Sequence, residues 1–409
     1  MNGRMTIAVV EPDGSGGLVH YAYQLCDGLA SQGADVTLFT GRHYELADLP
    51  HGFDLEPIID LWPAVAPVGG PAGPLKLLPG LWRRVRRIGR AFRYAVAWER
   101  LTRELIRRRP DVILFSVVRF PIQAIWLRRL RRRGLVLAQI CHEFERRESR
   151  FAPLRGLIQA ADRAAYPSFS AIFLHGEANR QAFHRSYEIP EAITHSIPHG
   201  DESLFVRLDD AGGDLRKRYQ IPPGRPVVLF FGGIRPSKGV PDLIDAFATA
   251  RRDVEASLLI AGRPVGVDVS ELLDRAAASG IAGDVTIDAG YLPMSDIGPL
   301  MRTATVVVLP YRSATASGVL QTAYAFSRPV IATDVGALPE AVEDGVTGLI
   351  VPSADPAALS RAIVKIVGDP AEAERMGAEG RRLAELRYGW TEIAGRISHV
   401  FRNIAGGAP

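Results

Sequence analysis

The chain has 409 residues, 47% of them hydrophobic and 23% charged, with a formal net charge of +4. It is too long for one ordinary core and too evenly mixed for a disordered or fibrous chain, so two domains of nearly equal size are expected. No run approaches the roughly 18 uninterrupted apolar residues of a membrane-spanning helix, which sets that class aside.

The first residues, MNGRMTIAVVEPDG, hold a short apolar run ending in Asp-Gly, with no long h-region and no small-residue cleavage site; they predict a first strand and not a signal peptide. The loop Asp13–Gly17 follows, then the helix pattern HYAYQLCDGLASQG. Glycines there let backbone approach a ligand and present helix N–H groups to it. The full spacing of a dinucleotide fingerprint is absent, and a tight turn packing helix on sheet explains the glycines equally well. ADVTLFT is the next strand, and a long irregular insert follows it.

Charge then becomes uneven. Residues 1–200 carry 27 Lys+Arg against 19 Asp+Glu, and the remainder 22 against 26. Most of the excess lies in Lys76–Arg109, with 12 cations and 2 acids, and in RRLRRR at Arg128–Arg133. Leu81, Val85, Ile88, Phe92, Ala95 and Val96 recur near helical spacing among the arginines, with Trp82, Tyr94 and Trp98 close by. That pattern suits a helix lying on anionic lipid, and equally a solvated basic helix packed on the first domain. Clustered arginines also fit phosphate backbones, but no nucleic-acid-binding module accompanies them, so no nucleic-acid partner is expected.

PDVILFS, LVLAQICH, SAIFLHG and ITHSIPHG continue the strand series, with FPIQAIWLRRLRRRG as a helix between the first two. After the polar stretch 208–225 the series restarts with RPVVLFFGG, ASLLIAG, DVTIDAG, ATVVVLP and RPVIATD, each separated by a helix. Apolar strands alternating with helices mean parallel sheets covered on both faces, and two such series mean two doubly wound α/β domains. Ligands bind such sheets beyond the strand carboxyl ends, so a cleft between two facing domains is the expected site. Cys26 and Cys141, far apart in apolar surroundings, are expected as reduced core residues.

Two stretches at strand ends carry chemistry. In FFGGIRPSKG, residues 230–239, glycines clear the strand tip and Arg235 and Lys238 can reach the cleft, a pairing suited to a diphosphate. A solvated helix start is the plain alternative. In Ser313-Ala314-Thr315-Ala316-Ser317-Gly318, before the helix GVLQTAYAF, hydroxyls, free N–H groups and a helix dipole offer anion binding without added charge. An ordinary N-cap would read the same way. No Asp-x-Asp motif or dense His/Cys cluster is present, so no metal and no cofactor are expected.

In order and spacing these segments resemble the retaining, nucleotide-sugar-dependent glycosyltransferases of the GT-B fold, group 4, also described as glycosyl transferases group 1. MTIAVVEPDGSGG with LCDGLASQGADVTLFT, IPHGDESLF at 197–205, FFGGIRPSKGVPDLIDAF, LLIAGRP, VTIDAGYLP, VVVLPY, RPVIATDVGALPEAVEDGVTGLIVP and the terminal ERMGAEGRRLAELRYGWTEIAGRI carry the likeness. It runs over nearly the whole second half and is patchy in the first, where acceptors differ. It implies an acceptor-side Rossmann-like domain at 1–207, a linker at 208–225, a donor domain at 226–388 and a terminal helix, 389–409, crossing back to the first domain.

The resemblance places Arg235 and Lys238 on the donor diphosphate and Gly16 and Gly17 in the loop facing it. Tyr291 and Leu292 fall where the nucleotide base rests, and His142 near the transferred sugar. His142, Arg235 and Lys238 form the implied catalytic set. Gly233, Thr315, Ser317, Gly318 and Val319 join the donor site, with Glu143 and His199 on the acceptor side. His142 also reads as a half-buried histidine after a strand, with Glu143 and Glu145 capping the next turn.

Two departures stand out. The family's arginine directly follows the glycine of FxGR, whereas Gly233 stands there and Arg235 comes two residues later. The family's two glutamates, separated by seven residues, align with Ala314 and Thr322, so both carboxylates are missing. Glu340 persists and more often fixes its loop. The implied reaction moves a sugar from a UDP- or GDP-type donor to a glycan or lipid-linked acceptor with retention, metal-independently, in the cytoplasm or peripherally on a membrane. A nucleotide-sugar 2-epimerase of the same fold, or a noncatalytic sugar-nucleotide-binding protein, are the alternatives.

Overall fold

The computed structural model describes residues 4–59, 79–118, 122–144, 163–209 and 215–406, with backbone alone for 79–88. The first domain is a parallel sheet of seven strands, β1 (Thr6–Glu11), β2 (Asp35–Gly41), β3 (Asp54–Ile59), β4 (Val112–Phe115), β5 (Leu137–Cys141), β6 (Ala171–His175) and β7 (Thr194–Ile197), in the order β3-β2-β1-β4-β5-β6-β7. The second is a parallel sheet of six, β8 (Val227–Phe231), β9 (Ser257–Ala261), β10 (Val285–Asp288), β11 (Val306–Leu309), β12 (Val330–Thr333) and β13 (Gly348–Val351), in the order β10-β9-β8-β11-β12-β13. These are the two doubly wound α/β domains expected from the strand series. β3 and β13 are additions, both at sheet edges. Pro57 inside β3 cannot donate to a ladder and is tolerated at an edge.

Side-chain alternation builds a core on each face of the first sheet. Ile7 and Val9 of β1 point toward helix α1 (Gly17–Ser31), and Ala8 and Val10 toward α2 (Pro79–Arg108) and α3 (Gln123–Arg132). Tyr94 and Trp98 of α2 are buried in that second core, Trp98 stacked 5.9 Å from Phe115. Of the two readings of this segment, these side chains follow the one that packs the helix on the first domain: at helical spacing they are the inward side, while Phe92 is 70% and Val96 50% exposed. The rest of that pattern, Leu81 to Ile88 with their arginines, falls outside the described side chains. No described helix is long and apolar enough to cross a membrane.

Helix α4 (Glu177–Ser186) follows β6, α5 (Gly318–Ala325) follows β11, and α6 (Trp390–Gly406) ends the description. Trp390, Ile393, Ala394, Ile397 and Phe401 of α6 lie on one helical stripe and join the α1 core of the first domain. The isoleucines and Phe401 each stabilise by about 1.5–3 kcal/mol. The approach is close: a Cβ on Gly200 would stand 2.2 Å from the Trp390 ring, so only glycine fits there. Phe205, Leu215, Tyr219 and Ile221 belong to the core of the second domain. Cys26 and Cys141 are buried, and neither is in a disulfide among the described residues.

Candidate active site

The strand carboxyl ends of the two sheets face each other, and among the described residues four sets of hydrogen bonds cross between them. The Thr315 hydroxyl donates to the His142 carbonyl at 2.5 Å. The buried Asn179 amide, from α4, donates to the His175 and Thr315 carbonyls, the latter at 2.7 Å. Glu340 accepts from the Glu177 and Ala178 amides at 2.9 and 2.6 Å, capping α4 from the opposite domain. Its loop-fixing role is thus exerted across the cleft. Finally, the Tyr291 hydroxyl donates to Glu45 at 2.7 Å.

On the donor side, β8 ends at Phe231 and the chain turns through Gly232 and Gly233. Ile234 is buried and bridges to Pro264, anchoring the turn, and Pro236–Lys238 form a short 3-10 turn. Gly239 has φ +63°, and a Cβ on it would stand 1.9 Å from the Pro310 carbonyl oxygen, so glycine alone pins this turn against the end of β11. The result lifts two cations to the strand tip. Arg235 is exposed, and neither it nor Lys238 meets a carboxylate among the described residues. Lys238 Nζ rests 3.6 Å from the Tyr311 ring centroid, a cation–π contact. Arg312 alongside is already committed to Asp242 by a bidentate pair at 2.7 Å.

The Ser313–Gly318 loop shows both functions its composition allows. Ser317 is the N-cap of α5: its Oγ accepts from the Leu320 amide at 3.3 Å and meets the Tyr311 hydroxyl at 3.3 Å. Thr315 is spent on His142. The Gly318 and Val319 amides, first in the helix, have no partner among the described residues. Thr322 is buried and its hydroxyl returns to the Gly318 carbonyl at 2.9 Å, while Ala314 packs against the core of the second domain. Neither offers a polar group to the cleft.

Facing this loop, Gly16 has φ +99° as the N-cap of α1, and space around both Gly16 and Gly17 is open. The Gly16 amide is taken by Glu45 Oε1 at 2.6 Å, leaving Gly17 and Leu18 as the open first-turn amides. Tyr291 is 46% exposed, whereas Leu292 is buried in the core of the second domain. Gly233 is exposed beside the Arg235 side chain.

His142 belongs to a cluster. Its Nδ1 lies 3.1 Å from His175 Nε2, and the rings of His142, His175 and His199 surround the buried Tyr21 at 4.7, 5.4 and 5.3 Å. His199 Nδ1 lies 3.0 Å from the Gly200 carbonyl, so that nitrogen carries the proton. His142 Nε2 and the Tyr21 hydroxyl are buried without hydrogen-bond partners among the described residues. Burial, with His199 beside it, pushes His142 down to about 3, and burial likewise depresses His175 and His199. The cluster is therefore neutral near pH 7. Glu143 is exposed; Glu145 lies outside the described residues. Glu202, behind Gly318, is buried, and burial, with the Asp201 charge, pushes its carboxyl up to about 8 against a hydrogen bond from Gln24. A cavity of about 500 Å³ lies behind the histidines, lined by His175, His199, Ser317, Gln321, Glu340 and Tyr388 among others. No group of three or more His, Cys, Asp or Glu suited to a metal occurs among the described residues.

Sequence reasoning missed Glu45, Asn179, His175 and Tyr21. Asn179 and Tyr21 lie inside helices, with no local signal. His175 is the last residue of β6 and His142 the first after β5, and that shared position was the available clue.

Two family models match the chain: Glycosyltransferase Family 4 over residues 15–200 and Glycosyl transferases group 1 over residues 225–369. The alpha-D-kanosaminyltransferase of Streptomyces kanamyceticus is 28% identical over 248 residues, which are 60% of this chain and 63% of that protein. The D-inositol 3-phosphate glycosyltransferase 1 of Catenulispora acidiphila is 28% identical over 98% of this chain and 95% of its own length. Among solved structures, the sucrose-phosphate synthase of Thermosynechococcus elongatus superposes with a TM-score of 0.74 at 21% identity, covering 99% of this chain and 100% of the other, a likeness of fold.

Proposed function

Because the chain belongs to the group 4 glycosyltransferases of the GT-B fold, we propose that it transfers a sugar, with retention, from a nucleoside-diphosphate sugar to a glycan or lipid-linked acceptor. Residues 1–207 form the acceptor side and 226–388 the donor side. The observation that carries this reading is the pair of cations at the β8 tip, free of carboxylates and flanked by the open α5 amides. Arg235 and Lys238 neutralise the diphosphate as it departs, and the Gly17, Leu18, Gly318 and Val319 amides supply donors from both sides. With Ala314 and Thr322 in place of the paired glutamates, backbone amides replace side-chain carboxylates at the sugar. Charge develops on the leaving diphosphate, and the acceptor attacks the oxocarbenium-like sugar from the face the diphosphate leaves. No metal takes part. The neutral His142, with Nε2 unspent, faces the sugar, and Glu143 and His199 lie toward the acceptor. The test is incubation with UDP- and GDP-sugars and lipid or glycan extracts, with the new anomeric bond read by proton NMR. Retained configuration supports the reading; an inverted product, or no transfer with any pair, removes it.

The acceptor surface is proposed to meet an anionic membrane through residues 76–109. Exposed Phe92 and Val96 on α2 and Ile122 and Ile125 at α3 stand among the exposed Arg93, Arg100 and Arg128, which supports that attachment.

A further inference from the structure

Glu45 lies in the loop after β2, outside every motif, yet it joins three elements. Its Oε1 accepts from the Gly16 amide at 2.6 Å and meets His20 Nε2 at 2.8 Å, and its Oε2 accepts from the Tyr291 hydroxyl at 2.7 Å. The loop is itself fixed, since the Glu45 amide donates to the Gly14 carbonyl at 2.9 Å. Burial pulls the Glu45 carboxyl upward, but the bond to His20, the Gly16 amide and Tyr291 outweigh it and keep it below the usual range, so it is ionised.

Topology shows why this contact differs from the other crossings. In the order β3-β2-β1 and β10-β9-β8, Glu45 follows β2 and Tyr291 follows β10, at one margin of the cleft. The Glu340 and Asn179 contacts follow β12 and β6, at the other. Arg235 and Lys238, after the central β8, stand between. We infer that Glu45 is a positioning residue that couples the Tyr291 seat of one domain to the glycine loop of the other, so that occupation of the base site and alignment of the Gly17 and Leu18 amides occur together. The inference rests on the donor reading of Tyr291 and the glycine loop. Glu45 takes the Tyr291 hydroxyl while leaving much of the residue exposed, so stacking on the ring and latching through the oxygen are compatible.

Hydrogen exchange on the ligand-free full chain tests the coupling without any donor. Tyr291→Phe, which removes one oxygen in the second domain, should speed exchange of the Gly16, Val19 and His20 amides in the first about tenfold, with α4 unchanged. Binding of UDP and of GDP is then measured for Tyr291→Phe, Glu45→Ala and the double variant. Each single change should weaken binding about tenfold and the double no further, with Glu45→Gln intermediate because it keeps an acceptor oxygen. Unchanged α1 exchange in Tyr291→Phe, or fully additive losses in the double variant, would overturn the inference. Failure of the parent protein to bind either nucleotide would instead count against the donor reading, and the exchange result would still decide the latch.

Discussion

Replacing Lys238 with alanine removes a cation whose charge no carboxylate among the described residues shares: Nζ rests on the Tyr311 ring, 3.6 Å away. As the bond from sugar to diphosphate breaks, about one further unit of negative charge gathers on the leaving group. Two unit charges about 4 Å apart interact by about 1 kcal/mol in water and about 4 kcal/mol at an effective dielectric of about 20. Lys238 is partly buried and Arg235 exposed, which puts the first between those limits and the second near the lower one. Lys238→Ala should therefore lose about 2–3 kcal/mol, lowering kcat roughly 30- to 150-fold, and Arg235→Ala about 1–2 kcal/mol. Donor KM should rise by less than tenfold in both, because the added charge exists only in the transition state. Single-turnover transfer at saturating donor measures the chemical step. A Lys238→Ala variant with unchanged kcat and raised KM would refute the reasoning, since the cation would then bind donor and transition state alike.

Ser317→Ala should lower unfolding free energy by about 1 kcal/mol through the lost α5 cap, read by urea unfolding, and raise donor KM if the cap aligns the Gly318 and Val319 amides. Stability should peak near pH 6.5. Below it, the unfolded chain takes up protons at imidazoles near 6.5 that His142, His175 and His199 refuse in the fold, so stability falls as pH drops toward 3. Above about 4.5 the unfolded Glu202 ionises while the folded one stays protonated to about 8, a smaller opposing slope that alone remains above 6.5. Glu202→Gln should flatten that alkaline limb and steepen the acid limb between about pH 4.5 and 6.5; an unchanged alkaline limb would exclude Glu202 as its source. Replacing Arg83, Arg84, Arg86 and Arg87 with glutamate should release the protein from anionic vesicles, each cation contributing about 1 kcal/mol, and Phe92→Ser should weaken the same binding. Equal binding to neutral vesicles would contradict the membrane reading.

What could be read from the sequence follows the range of the interactions. The strands around β1 and β8 were legible because a buried parallel strand is a continuous apolar run, and Arg235 and Lys238 because they follow such a run through glycine. β3 was not, since Asp54, Glu56 and Pro57 break the run in a strand that needs pairing on one side only. Tyr94 and Trp98 could not be assigned to one side of α2 because arginines surround both faces of that helix in sequence. Glu45 was illegible for a different reason: two of its partners, Gly16 and Tyr291, lie 29 and 246 residues away, the first brought near by the pairing of β1 with β2 and the second from the other domain.

The central claim is that a nucleoside diphosphate lies on Arg235 and Lys238. Thermal-shift titration of the parent protein and Lys238→Ala with UDP, GDP and ADP tests it most directly, because a ligand that binds only the folded state adds about 2.7 kcal/mol at a hundred times its Kd. One nucleotide should raise the parent's Tm saturably, and Lys238→Ala should need at least tenfold more of it. No shift with any of the three, or identical curves for the two proteins, would contradict the account.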